Sequence, residues 1–479
     1  MDSCGNSSTI STSSPSSEKW DDFSSDIESP LFLRTRARSI LNIEREFYYD
    51  TEVIVIGNGP AGIALSAFLS GIQPYYDSTL EHPDSSFHQK LLDGNNEVNL
   101  LYRNIDWFEE EFQYLIKPGS TTEASFYDIL NVPLNNGDNH SLLKIKKGES
   151  ACIPHLVIGS GNIGGSWNTY DDEMLSLSFD SGLDLPGYSV KEFLNCPHLN
   201  VRLPARIIRE YFKSYVDKMG LYRNFISNTK VIGIEKLCDV SSKREFWSVT
   251  CLNEGSLLPH TLTCKKIVLG IGKNVIQKLD LKGVYNEDKI VYELRDLKNK
   301  IEYLRKEHTL NDNFNKVIKV IVIGDGYGAA DVVSYCLSMG IQTIHVIKRN
   351  KLQMKNHKLS SISDSIYPEY SSIYRLMMGR INNPNYVKYL GASISQIYDD
   401  DVVIDTPKGK INENYTFIVP CIGKKTDDTL QLNNFKISQT YRSHYDPTIF
   451  GIGSFIGDHY VRECVGGAMA VARMLINTD

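Results

Sequence analysis

Residues 52–71 read EVIVIGNGPAGIALSAFLSG. The β-branched run before Gly57 predicts a strand buried on both faces, as in a parallel sheet. The run after it predicts an apolar helix closed by Gly71. Between them, Gly57, Gly59 and Gly62 give the spacing G-x-G-x-x-G. The first glycine allows the tight bend. The second lets the backbone approach a pyrophosphate, and the third lets helix pack on strand. Pro60 and Ala61 open the helix, whose free N–H groups and positive dipole end face the phosphates. Three glycines alone are a weak signal. Set between this strand and this helix, they point to a bound dinucleotide.

The pattern recurs at 318–350, IKVIVIGDGYGAADVVSYCLSMGIQTIHVIKRN. Here Gly324, Gly326 and Ala329 form the G-x-G-x-x-A variant, with Tyr327 and Gly328 between. The strand that follows ends in Lys348 and Arg349. An acid there would favour NAD, whereas basic residues suit the 2′-phosphate of NADP. Arg349 is the stronger candidate, because a planar guanidinium both pairs with phosphate and stacks on adenine. Two such loops imply two nucleotides, FAD at the first and NADPH at the second. The buried strands CKKIVLGIG (264–272) and YTFIVPCIG (415–423) read as the places where the chain leaves and re-enters the first domain, with Gly272 and Gly423 close to the ligands.

The expected fold is therefore α/β: two Rossmann-like dinucleotide-binding domains, the NADPH domain nested within the FAD domain. The boundaries read as a Ser-rich disordered tail and lead-in (1–45), a first FAD segment (50–315) with an insertion at 77–150, an NADPH domain (316–410) and a returning FAD segment (411–479). Helical periodicity marks 204–221. Alternation marks two antiparallel strands within 225–252. A helix is expected from about 464, with Gly466 and Gly467 near its start and its positive end toward the flavin.

A net charge of -7 over 479 residues gives no electrostatic footprint for nucleic acid. No apolar run reaches bilayer length, and no signal-peptide core opens the chain. Nine cysteines without a C-x-x-C pair fit a reducing compartment and argue against disulfide reductase chemistry. The expected location is cytoplasmic. The basic stretch 29–50 partly suits a mitochondrial address, though it lies far in for a presequence. The Ser-rich tail is a candidate for phosphorylation and for protein partners.

A third glycine-rich turn, PHLVIGSGNIGGSW (154–167), lacks phosphate-loop spacing. Together with GNGPAG, IVLGIG, GDGYGAADV and GSFIGDHYVRECVGGAMAVA, it resembles the flavin-containing and N-hydroxylating monooxygenases in motif order. The stretches VIGNGPAGIALSAFLSGIQPYYD, GLDLPGYSVKEF and YPEYSSIYRLMM resemble the oxidative stress-induced growth inhibitor family more closely. The resemblance implies that 155–158 is the second strand of the FAD sheet, displaced by the insertion. It further implies that Gly164 and Gly165 admit the cofactor and that Trp167 walls the flavin. Gly457, Asp458 and Arg462 would then lie near its ribityl chain, and Ser176 and Ser178 near the catalytic face.

The chain departs from the monooxygenase pattern in three places. No acid ends the displaced second strand, so Ile158–Ser160 and Asp77 both stay open as the region that binds the ribose. No His stands in LKGVYNEDKIVYEL, and no Asn in LSLSFDSG. The resemblance thus carries three readings: an NADPH-using FAD monooxygenase with O2 as co-substrate and a role in growth or differentiation control, a catalytically weak regulatory flavoprotein acting through protein partners, and an uncoupled oxidase.

Overall fold

The computed structural model describes residues 49–93, 99–133, 141–148, 152–239, 243–256, 258–280, 283, 285–310, 317–430 and 435–477. The Ser-rich tail lies outside them. Strand β1 (Thr51–Ile56) runs into helix α1 (Pro60–Leu69). β1 is apolar and buried over most of its length because a neighbour lies on each side of it and helices cover its faces. β2 (Ile72–Tyr76) does not join that sheet. It pairs antiparallel with β3 (Leu143–Lys147), so Pro74 sits in a two-stranded hairpin and not in a central strand. Between the hairpin arms stand α2 (Ser85–Leu92), α3 (Asp106–Glu111) and α4 (Thr122–Asn131). Phe87, Phe108 and Phe126 form their buried aromatic core, with ring centroids 5.2–6.1 Å apart. Each such ring contributes about 1.5–3 kcal/mol by leaving water.

The parallel sheet resumes at β4 (His155–Ile158), which pairs with β1. The hairpin of β5 (Leu175–Phe179) and β6 (Arg202–Pro204) follows, then α5 (Ala205–Lys218). β7 (Phe225–Ile226) pairs with β4. The alternating segments are β8 (Thr229–Cys238) and β9 (Glu245–Asn253). They form an antiparallel meander with the start of β10 (His260–Leu269), whose end pairs parallel with β1.

A second sheet repeats the plan. α6 (Leu294–Leu310) precedes β11 (Lys319–Ile323), α7 (Tyr327–Ser338), β12 (Gln342–Ile347), α8 (Pro368–Met378) and β13 (Tyr386–Leu390). A three-stranded antiparallel meander covers 393–414, and β14 (Phe417–Pro420) returns beside β11. All four strands of this sheet are parallel, in the order β13-β12-β11-β14. The nested unit is therefore wider than 316–410. β14 carries it to Pro420, and Leu297 and Ile301 of α6 are buried in its core ahead of 316. β15 (Ile449–Gly451) then pairs with β10 in the first sheet, and α9 (Val461–Ile476) packs on α1 and α4. The two crossings between the sheets lie side by side, since Val275–Ile276 pairs antiparallel with Lys424–Lys425.

Candidate functional site

Four turns meet at the carboxyl ends of the first sheet: 57–62 after β1, 159–165 after β4, 270–272 after β10 and 452–458 after β15. Gly57 has φ +125°, and a side chain there would collide with the Gly270 carbonyl; one at Gly62 would collide with the Gly57 carbonyl. Gly59 caps α1 with no side-chain hydrogen bond, and Pro60 is the first helical residue, so the helix N–H groups carry no internal cap. The third glycine-rich turn lies on this loop. Gly164 N–H donates to the Asn58 carbonyl at 3.0 Å, and a methyl on Gly165 would come within 2.9 Å of the Gly59 Cα. Trp167 lies in the short turn of helix that follows, edge-on to Tyr170 at 5.5 Å and packed on the first core. Gly272 lies beside Ser454, and Gly453 lies beside Ala61.

The turn after β4 carries no carboxylate. Asn58 Nδ2 donates to the Gly161 carbonyl at 2.7 Å, and the Asn58 side chain fills the space that a side chain at Gly159 would need. Asp77 is held at the end of β2 by Lys144 at 2.7 Å, on the hairpin and away from the parallel sheet. Ser176 is also structural: its hydroxyl donates to the Ser178 carbonyl at 2.6 Å and accepts from Leu203 N–H.

Asp458 and Arg462 turn toward the insertion. Asp458 is 1% exposed, beside Tyr441 and Thr121. Burial pushes its carboxyl up to about 7, against a lowering hydrogen bond from Tyr441. Arg462 Nε lies 3.3 Å from Asp128 of α4. The expected placement of Gly466 and Gly467 near a helix start is corrected: α9 begins at Val461, and both glycines lie further along it. A methyl at 466 would meet the Ala124 Cα, and one at 467 the Tyr441 ring. They are small because α4, the Asp458 carboxylate and the Tyr441 ring crowd α9.

The second loop is more open. Gly324 (φ +118°) turns against the Cys421 carbonyl, while Cβ atoms at Gly326 and Gly328 would meet nothing within 4 Å. Gly326 caps α7 without a side-chain bond. Ala329 is buried in the core, and Tyr327 packs edge-on to Tyr370 at 5.1 Å. Arg349 lies at the end of β12, beside this loop, and Lys348 precedes it. Its guanidinium holds both oxygens of Asp325 at 2.6 Å, and His357 Nε2 lies 3.6 Å from the same carboxylate. Burial would raise the Asp325 carboxyl, but His357 and Arg349 outweigh it and hold it at about 2. Beneath the turn, fully buried His345 bridges the Gly324 carbonyl (2.6 Å) and the Tyr386 hydroxyl (2.9 Å). Burial drops its pKa to about 4, so the ring is neutral. Gly423 lies beside Gln277, on the paired crossings.

Sequence reasoning missed Asp325, His345 and His357, because nothing local marks a loop acid or a strand histidine as a partner. It also missed the contact between the domains. Arg202 Nε donates to the Ser176 carbonyl, and its guanidinium reaches Glu369 at 2.5 Å across the Tyr367 ring at 4.6 Å. The Tyr367 hydroxyl donates to the Leu177 carbonyl.

Comparison with known proteins agrees with this geometry. No family model matches the chain. The oxidative stress induced growth inhibitor homolog of Caenorhabditis elegans is 35% identical over 436 residues, covering 89% of this chain and 94% of that protein. The chain belongs to the oxidative stress-induced growth inhibitor family. The human oxidative stress-induced growth inhibitor 2 is 26% identical over 480 residues. Among solved structures, the bacillithiol disulfide reductase of Bacillus cereus aligns with TM-score 0.53 at 14% identity, covering 89% of this chain and 99% of that one. The Kutzneria ornithine N-hydroxylase, solved with reduced FAD, NADP+ and L-ornithine, aligns with TM-score 0.51 at 12% identity, covering 89% and 97%. The fold is thus that of two-dinucleotide flavoproteins. Among the described residues, no helix is long and apolar enough to cross a membrane.

Proposed function

We propose that this family member is an FAD-dependent, NADPH-using oxidoreductase of monooxygenase type, with O2 as co-substrate and a role in growth control. The observation that carries the reading is the pair of uncapped glycine loops, one per parallel sheet, joined by crossings that lie side by side. The residues present fit a dinucleotide at each loop: the helix N–H groups are free, and glycine stands where a Cβ would intrude. At the first, Gly57, Gly59 and Gly62 with Gly164 and Gly165 hold FAD, and Gly272 and Gly457 border it. At the second, Gly326 and Gly328 leave room for a pyrophosphate, and Arg349 takes the 2′-phosphate. Bound there, the two cofactors supply hydride transfer and oxygen activation. The protein's own residues orient them and exclude water, and Arg202 ties the domains together while this happens. The relatives' names support the role in growth control.

A second reading, a regulatory flavoprotein with little or no turnover, is favoured by one observation: Asp458 faces the insertion core and is not free to reach a ribityl chain. One experiment separates the two. The purified protein is examined for a flavin spectrum, then for NADPH oxidation and peroxide release. A yellow protein that oxidises NADPH supports the enzyme. A yellow protein that does not supports the regulator. A colourless protein that FAD does not restore rejects both.

A further inference from the structure

Resting on the two-nucleotide reading, we propose that Lys358 holds the pyrophosphate of the nicotinamide dinucleotide at the second loop. The Lys358 side chain is exposed, and its ammonium sits 4.9 Å from the centre of the Tyr327 ring, at the first residue of α7. Tyr327 follows Gly326, the position where a Cβ would meet nothing within 4 Å. Lys358 is thus poised over the open part of the loop, while Arg349 is engaged with Asp325 on the side of the second strand.

His357 fixes the segment. Its Nδ1 accepts from Leu359 N–H at 3.2 Å while its Nε2 faces Asp325, so the backbone carrying Lys358 is anchored to the loop it serves. Arg349 and Lys358 divide the ligand: a planar fork for the terminal phosphate and a point charge for the bridging one.

The test is equilibrium binding to the full-length, flavin-loaded protein, with NADP+, NAD+ and adenosine 2′-monophosphate as probes. Lys358→Met keeps the side chain's bulk and removes the charge. It should weaken NADP+ and NAD+ alike, by about tenfold or more, as expected for a lost charge-assisted contact. The monophosphate, which carries neither phosphate of the bridge, should change less than threefold, about the size of an ordinary surface substitution. Lys358→Arg should recover most of the loss, and Arg349→Ala should instead weaken NADP+ alone. Dinucleotide affinities unchanged by Lys358→Met, or an equal loss for the monophosphate, overturn the assignment while leaving the two-nucleotide reading in place. Wild-type protein that binds neither dinucleotide overturns both.

Discussion

Gly165 lies backbone to backbone against Gly59, a hundred residues earlier, with φ +57° and no room for a methyl. The third glycine-rich turn is therefore the lid of the first loop, not a second phosphate loop. Gly165→Ala adds left-handed strain of about 1–2 kcal/mol and pushes the two turns apart. It should cost at least about tenfold in FAD affinity, measured by titrating the apoprotein. Gly161→Ala, where a methyl meets nothing within 4 Å, is the control and should retain flavin normally.

Arg349 stands at the end of β12 with its guanidinium on Asp325. Replacing it by Ala should lower kcat/KM for NADPH by about tenfold or more, the size of a lost charge-assisted phosphate contact, and leave NADH nearly unchanged. An unchanged ratio of the two specificities would show that the 2′-phosphate lies elsewhere.

Buried His345 supports the second loop from below. His345→Phe keeps the ring but leaves the Gly324 carbonyl and the Tyr386 hydroxyl without their partner. The expected cost is about 1–3 kcal/mol of stability, with a raised KM for NADPH and an unchanged flavin content. A Tm equal to that of the wild type contradicts this role.

Asp458 predicts a pH dependence. Its carboxyl ordinarily titrates near 3.8 and is raised to about 7 in the folded chain. The folded state thus holds the proton more tightly. The stabilisation is complete below about pH 4 and is lost as pH rises through about 7, by a few kcal/mol at most. Asp458→Asn should reduce the fall in stability between pH 5 and 8 in urea melts. Asp184, also raised to about 7, keeps part of the slope in that variant. A slope identical to that of the wild type contradicts a buried protonated Asp458.

The strand–turn–helix units were legible because their signals are local: a β-branched run, glycine spacing and an apolar helix all fall within about twenty residues. The displaced second strand was legible only through family resemblance, since the insertion separates it from β1. α4 escaped notice, although it is the helix that Gly466 crosses.

By itself, the sequence determined that two glycine-rich loops stand in order, each between a strand and a helix, with a nested domain and an insertion after the first. The tertiary structure alone decided the rest. It set Gly165 on Gly59, moved Pro420 into the second sheet, gave Arg349 to Asp325, turned Asp458 inward and placed Lys358 over Tyr327. Each of these joins residues distant along the chain. Which of them meet depends on how whole elements pack and on where each side chain points, and neither is encoded in a local spacing.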